Sequence, residues 1–430
     1  MCASAQPNSA IMEVQSMVPG PQKVIKAVDD SNAVALASGS GGSPYALVVM
    51  PLGTKVDLTS TTLPLTNTRI DCPDSVYLMD VCVLGKNVFV CGAVHTASGD
   101  KAMFGRVPLT AAHDSFDSNL VIYLLDCGVK RADKISAYYV PGTTNIELAI
   151  VGVDYPDGTF WGTYSVINVD FTGPAMLSYT CNKVKLPTDY RITGLTQTAN
   201  YVAVAGEFYD QHGFHFIAKY TKGAGSFNLD MRPISSSEYI IGNGVTCTSA
   251  GADKIAIAYY TQTGTSHFAM LKYFDLASLV SSIDEYRVPV RLKIQAPTLT
   301  YIPADNAVVM LVERDALSLF ISTPAFVCVK PGVLSPTEVM YDNDGIDYYN
   351  VSTLGTRYFI AASPEGWLLR NETVMPPFLG CIRPSQISIE ESEKVYLTRT
   401  SYPSNPCSAA PHISLSRRGC TIKHHCHKLL

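Results

Sequence analysis

Apolar residues in this chain fall in short, strand-length runs broken by polar turns, and the runs recur in sets of three. The clearest set opens with Ile192-Thr193-Gly194-Leu195, passes Asn200, and continues with Tyr201-Val202-Ala203-Val204-Ala205-Gly206. After a loop, Phe214-His215-Phe216-Ile217-Ala218-Lys219-Tyr220 completes it. The next set repeats the pattern with Ile255-Ala256-Ile257-Ala258-Tyr259 and His267-Phe268-Ala269-Met270-Leu271-Lys272-Tyr273. No stretch sustains the period of an amphipathic helix, so the pattern predicts strands throughout.

The first residue of each middle strand serves as an anchor: Ala33, Val88, Ile146, Tyr201, Ile255, Ala307, Tyr358 and Val395. Successive anchors lie 55, 58, 55, 54, 52, 51 and 37 residues apart. Asn32, Asn87, Asn145, Asn200 and Asn306 precede five of them. Asn tolerates the left-handed conformation of a tight reversal, which is the expected reason for its recurrence. A unit of about 50 residues made of three or four short strands is the signature of a β-propeller blade. The expectation is an all-β chain forming a single propeller of eight blades, with seven as the alternative. The eighth copy would be Ile387 to Arg399 with His412 to Ser416. The isolated strand Ala10 to Val14 would join the final blade and remove an exposed edge.

This architecture resembles the broad class of secreted bacterial β-propeller proteins, and the resemblance spans nearly the whole chain. It rests on the repeat and not on a functional motif, since neither a WD dipeptide nor a kelch double glycine recurs. Residues 6–417 would be the propeller. Residues 1–5 read as the remnant of a signal peptide, because Ala3-Ser4-Ala5 is the small-residue pattern that precedes signal cleavage. That reading places the protein outside the cytoplasm, in a periplasm, at a cell surface or in the medium. Residues 418–430 form a polar tail rich in Cys and His, better read as a basic terminus than as a zinc site, which needs two separated ligand pairs.

Composition narrows the partners. Of the 430 residues 47% are apolar and 16% charged, against a usual charged share of about 25%, so the chain can bury a large core. The net charge of −5, without a basic run, argues against nucleic acid as a partner. Mean hydropathy is +0.13, yet no apolar run approaches the ~20 residues of a membrane helix, and no transmembrane segment is expected. Twelve cysteines are too scattered for a disulfide scaffold. Cys82 should face Phe89 across its turn and not Cys91, while Cys407, Cys420 and Cys426 are the disulfide candidates of an oxidising compartment.

In propellers the connections between second and third strands gather on one face, where ligands usually sit. Mapped onto this chain they supply His95, Asp154, Asp157, Glu207, Asp210, His212, Asp315 and Glu365 as candidate ligand-binding residues. Such an acidic rim would suit Ca²⁺, which takes several oxygen ligands, a sugar, or the paired carboxylates of glycoside hydrolysis. The same residues are also ordinary turn formers. Asp154 to Trp161 and Ser363 to Trp367 resemble the Asp-box turns of sialidase-like propellers. One residue is missing from the first, however, and the acid of the second is Glu. Asp342, Asp344 and Asp347 form a compact acidic stretch that could bind Ca²⁺ but departs from the EF-hand spacing. No other cofactor is expected. His215 and His267 begin third strands in neighbouring copies, which points to a shared packing role. Strand core is the expected home of Trp161 and Trp367.

No nucleophile elbow, P-loop, dinucleotide fingerprint or H-E-x-x-H motif occurs. The leading expectation is therefore an exported, non-catalytic propeller that binds a carbohydrate or a protein at the cell envelope. A hydrolase or lyase using the acidic rim, and a structural component of a surface assembly, are the alternatives.

Overall fold

The computed structural model describes residues 11–15, 22–29, 32–38, 45–51, 68–125, 128–140, 142–143, 145–154, 159–168, 180–185, 190–208, 215–224, 232–233, 239–240, 245–290, 297–315, 322–331, 337–342, 350–354, 358–362, 367–372, 394–398, 412–416 and 419–423. Among them there is no α-helix and hence no helix able to cross a membrane.

After β1 (Ile11–Gln15), the strands form seven sheets in chain order. The first holds β2 (Gln22–Ala27), β3 (Asn32–Ser38), β4 (Tyr45–Pro51) and β5 (Thr68–Asp71). The second holds β6 (Val76–Leu84), β7 (Asn87–Thr96), β8 (Gly99–Pro108) and β9 (Val121–Leu124). The third holds β10 (Lys134–Tyr139), β11 (Asn145–Asp154), β12 (Thr159–Asn168) and β13 (Thr180–Lys185). The fourth holds β14 (Tyr190–Gln197), β15 (Tyr201–Phe208), β16 (His215–Thr221) and β17 (Arg232–Pro233). In the fifth, β18 (Tyr239–Ile240) and β19 (Thr246–Ser249) share one edge of β20 (Lys254–Thr263), followed by β21 (Ser266–Asp275) and β22 (Val280–Pro289). The sixth begins with β23 (Thr298–Ile302), β24 (Ala307–Asp315), β25 (Ser322–Val329) and β26 (Thr337–Asp342). The seventh holds β27 (Asn350–Leu354), β28 (Tyr358–Ala362) and β29 (Trp367–Glu372). Within each sheet these strands run as an antiparallel meander, and the first strands touch in the cyclic order β2, β6, β10, β14, β19, β23, β27 and back to β2. The architecture is a β-propeller.

Both ends of the chain add to this frame. β1 pairs with the outer edge of the seventh sheet, Ile11 opposite Asn371 and Gln15 opposite Trp367. The strands of the eighth copy do not make a sheet of their own. β30 (Lys394–Thr398) lies parallel to β26, and β31 (His412–Ser416) with β32 (Gly419–Lys423) extends that edge, so the sixth sheet has seven strands.

The middle strands read as continuous apolar runs because both of their faces are covered. In β7, Val88 and Val90 pack towards the first sheet, whereas Phe89 and Cys91 pack towards the third. In β20, Ile255, Ile257 and Tyr259 face the fourth sheet, and Ala256, Ala258 and Tyr260 face the sixth. A period-2 strand buried on both sides has no polar alternation to display. The core is thus a series of slabs between neighbouring sheets.

The recurring Asn has a different cause from the expected one. Gly85 (φ 55°) and Gly142 (φ 74°) supply left-handed residues in the turns of the second and third sheets, and only Asn306 (φ 47°) does so among the Asn residues before the anchors. Asn32, Asn87 and Asn145 are already first residues of strands. The buried Asn87 accepts hydrogen bonds at Oδ1 from Arg106 Nε (3.0 Å) and Nη2 (2.7 Å). Asn32 donates from its backbone N to Asp29 Oδ1 at 2.8 Å. The position is kept polar for side-chain hydrogen bonds at the strand start.

Cys82 lies opposite Phe89, as its turn predicted. Among the described residues Cys72, Cys82, Cys91 and Cys247 are free thiols. Cys420 lies in β32, while Cys407 and Cys426 fall outside the described residues.

Candidate functional site

The connections between second and third strands open on one rim, reached by the ends of β7, β11, β15 and β20. Along that rim the described candidates have separate environments. His95 and Asp100 face each other across the β7–β8 hairpin, with Nδ1 and Oδ1 2.7 Å apart and their side chains 66% and 53% exposed. Asp154 is buried, and its Oδ1 accepts a hydrogen bond from the backbone N of Lys130 at 2.8 Å. It therefore fastens β11 to the link between the second and third sheets.

The same link contains Asp133, whose two oxygens accept from Arg131 Nε (2.7 Å) and from Val153 N (2.9 Å). Burial pushes Asp133 above the usual carboxylate range in spite of these partners. Further in, Asp80 Oδ2 accepts from Ile135 N at 3.2 Å. Backbone N–H groups thus engage Asp154, Asp133 and Asp80.

A different environment lies between the fourth and fifth sheets. Arg191 of β14, Glu207 of β15 and His215 of β16 occupy one row of directly opposed positions. Directly opposed residues share a face of the sheet, with Cβ atoms about 5 Å apart. Glu207 and His215 are buried, His215 to 1% exposure. The His215 ring meets the edge of the Tyr259 ring at 5.4 Å between centroids and 73° between planes. Thr261, two residues along β20 and therefore on the same face as Tyr259, is fully buried.

Among the described residues, neither ring nitrogen of His215 nor Oγ1 of Thr261 has a hydrogen-bond partner. Each such atom forfeits its hydration at a cost of about 1–3 kcal/mol. Burial alone pushes His215 down to about 3, so the imidazole is neutral at physiological pH. The slab of Ala203, Ala205, Ile217, Ile257 and Met270 beneath these residues is entirely apolar. The rim end of this slab therefore carries unsatisfied polar capacity that packing does not explain.

The sequence had put Glu207 on this rim but had assigned His215 to packing through its equivalence with His267. The structure separates the two histidines: His267 is only half-buried, opposite Gln262. Thr261 and Tyr259 carry no signal in a strand that reads as an apolar run. Of the other candidates, Asp157, Asp210, His212 and Glu365 lie outside the described residues, as do Asp344 and Asp347. Asp315 ends β24 opposite Ser322, and Asp342 ends β26 opposite Thr398. Trp161 is fully buried in the slab between the second and third sheets.

The opposite rim is a lock. Lys222, at the end of β16, pairs with Glu147 of the third sheet and donates to Thr198 O at 2.6 Å, its ammonium lying 4.2 Å from the Tyr138 ring centre. Gln197 Nε2 donates to Ser136 O at 2.7 Å across the same seam. Asp253, with φ 49°, accepts from Thr198 Oγ1 at 2.9 Å and from Asn200, fastening the fifth sheet to the fourth.

No protein-family model matches the chain, and no curated protein matches it. Among solved structures it is similar to the WD40 domain of Toxoplasma gondii coronin, with a TM-score of 0.51 and 9% identity over 89% of each chain. It is also similar to Saccharomyces cerevisiae Sqt1, with a TM-score of 0.47 and 10% identity over 85% of this chain and 100% of that one. A streptogramin B lyase gives a TM-score of 0.44 and 10% identity over 84% and 97%. At these identities the likeness is one of fold, and the coronin domain carries it: the chain has the fold of a β-propeller.

Proposed function

We propose that this chain is an exported, non-catalytic propeller of seven blades that binds a glycan or a protein of the cell envelope on the rim of second-to-third-strand connections. The blade number is supported by the seven sheets and by the cyclic contacts of their first strands. The observation that carries the binding reading is the division of work along the rim. Asp154 and Asp133 are held by backbone donors, which is a structural use of a carboxylate. His95 and Asp100 stand paired and exposed at the tip of the projecting β7–β8 hairpin, open to contacts from outside. Glycoside hydrolysis asks for two carboxylates about 5–10 Å apart across a bond to be cleaved, whereas Asp154 and Asp133 are engaged by backbone N–H groups.

The test is retention of the purified chain on a panel of immobilised polysaccharides, with the masses of soluble products recorded from the same incubation. Retention without products, weakened by H95A/D100A, is the expected result. New oligosaccharide masses would replace the binding reading by an enzymatic one. Absence of retention would move the search to proteins of the envelope, captured on the immobilised chain with and without H95A/D100A. Repeating the binding after EGTA treatment reads whether Ca²⁺ takes part, and cell fractionation checks export.

A further inference from the structure

Tyr77 breaks the burial pattern of its strand. Val76 and Leu78, its neighbours in β6, are buried in the slab between the first and second sheets, whereas Tyr77 is 42% exposed. Strand alternation would turn it away from that slab. Its ring nevertheless meets Tyr45 of the first sheet edge-on, with 6.2 Å between centroids and 72° between planes. A β-bulge follows in β6, where Leu78 is opposite Gly92 but Asp80 is opposite Cys91. A Cβ at Gly92 would sit 1.8 Å from the Tyr77 carbonyl oxygen, so only glycine lets the two backbones approach there. Bulges recur where a strand re-aims a side chain beside a site.

A charged pair stands on either side of the two rings. Asp71, opposite Ala46 and so beside Tyr45, is exposed and accepts at Oδ1 from Arg69 Nε (2.8 Å) and Nη2 (2.7 Å). On the second sheet the backbone N of His95 donates to Ser75 O at 2.7 Å, which brings the exposed His95–Asp100 pair to the start of β6. The other large apolar side chains exposed among the described residues lie away from this rim. Tyr139, Val166 and Val280 are opposite Ile146, Glu147 and Asp275 towards the far rim, and Val121 and Leu124 are on the outer strand β9. A protein partner covers about 800 Å², whereas this cleft offers one braced aromatic face between exposed carboxylates.

We propose that the cleft between the first and second sheets is a sugar subsite, with Tyr77 as its stacking platform and Asp71 and Asp100 as acceptors for sugar hydroxyls. The ligand class is a neutral hexopyranose chain. A pyranose carries C–H groups on its faces and hydroxyls around its edge, which matches an aromatic face flanked by carboxylates. Tyr45 braces the platform, and Arg69 and His95 hold the acceptors, so little side-chain freedom is lost on binding. The two carboxylates disfavour an anionic chain. This assignment rests on the reading of the rim as a binding surface and gives that surface a glycan.

Full-length protein is titrated by calorimetry with cellohexaose, maltohexaose, mannohexaose and chitohexaose, and with hexagalacturonate as the anionic comparison. The expected result is binding of at least one neutral chain, weakened roughly tenfold by Y77A and kept within about threefold by Y77F, which retains the ring face. Undiminished binding by Y77A, equal losses in Y77F and Y77A, or preference for hexagalacturonate overturns the subsite. If Y77A does not fold, Y77L decides, because it is apolar without a ring face: undiminished affinity again overturns the subsite. No binding of any neutral chain by the parent also overturns it. In that case the rim reading survives if H95A/D100A weakens capture of an envelope protein, and falls as well if it does not.

Discussion

Lys222 and Glu147 form an ion pair across the seam between the third and fourth sheets, with side chains only 6% and 10% exposed. Desolvation pulls the Lys222 ammonium below its ordinary value, and Glu147 opposes that pull. Desolvation likewise raises the Tyr164 hydroxyl, helped by its hydrogen bond to Glu147. Removing one partner of such a pair leaves a buried, uncompensated charge, at a cost of about 3–5 kcal/mol. K222M should therefore lower the urea midpoint strongly, whereas K222M/E147L should recover at least half of the loss. A double variant as unstable as K222M would show that the pair does not act as a unit.

Gly206 of β15 lies opposite Phe216 of β16. A Cβ at Gly206 would sit 2.4 Å from Phe216 Cε1 and 2.6 Å from the Arg191 carbonyl oxygen. Gly152 repeats the arrangement in the third sheet, against Trp161 and the Arg131 carbonyl oxygen. G206A should cost about 1–3 kcal/mol, the usual penalty of overpacking. Comparison of its thermal midpoint with that of A203G, a substitution that opens space in the same strand, separates overpacking from a general sensitivity of the strand.

His215 gives stability a pH dependence of known sign. Its folded value is about 3 because of burial, while an unfolded imidazole titrates near 6.5. Between these values the unfolded chain binds the extra proton, so stability rises with pH. The contribution is complete above about 6.5 and is lost as pH falls towards 3, at up to ~1.4 kcal/mol per unit. H215N should show a shallower fall of the urea midpoint between pH 7 and pH 4.5 than the parent chain. Parallel lines would mean that His215 titrates in the folded protein much as it does in the unfolded chain.

Two acids of the rim should respond in opposite ways. D154A removes the acceptor of the Lys130 N–H and should cost about 1–2 kcal/mol. D100A removes an exposed carboxylate whose partner His95 is also exposed, and should change stability by no more than about 0.5 kcal/mol. Chemical denaturation of the two variants side by side checks both, and a destabilised D100A would contradict an exposed, recognition-type pair.

The described thiols should be inert in the folded chain. Burial pushes Cys72 up to about 11 and Cys247 up to about 12, and it raises Cys82 and Cys91 as well. Thiolate is the reactive form, so iodoacetamide at pH 8 followed by peptide mass mapping should find these four unmodified until denaturant is added. Labelling of Cys82 or Cys91 in the native chain would show the slab around Phe89 and Ile135 to be open.

The anchors Ala33, Val88, Ile146, Tyr201, Ile255, Ala307 and Tyr358 lie within one residue of the starts of the seven middle strands. They were legible because a strand covered on both faces must be apolar along its length, and that requirement is local. Cys82 opposite Phe89 was legible for the same reason: a two-residue turn sets its register without help from the rest of the chain.

What the tertiary structure alone decided is which sheet a strand joins and what a polar side chain meets there. Val395 lies in a strand, as its anchor position predicted, but its sheet is the sixth, through β26. Asn87 recurs as a turn residue would, yet its partner is Arg106 on the next strand. His215 and His267 share one place in the repeat, but His215 is buried against the Tyr259 ring of the neighbouring sheet, whereas His267 is only half-buried. Glu147 and Lys222 are separated by 75 positions and meet only because the third and fourth sheets stack. Strand formation is a property of a few consecutive residues. Burial, pairing and charge compensation belong to surfaces that come together only when the sheets pack.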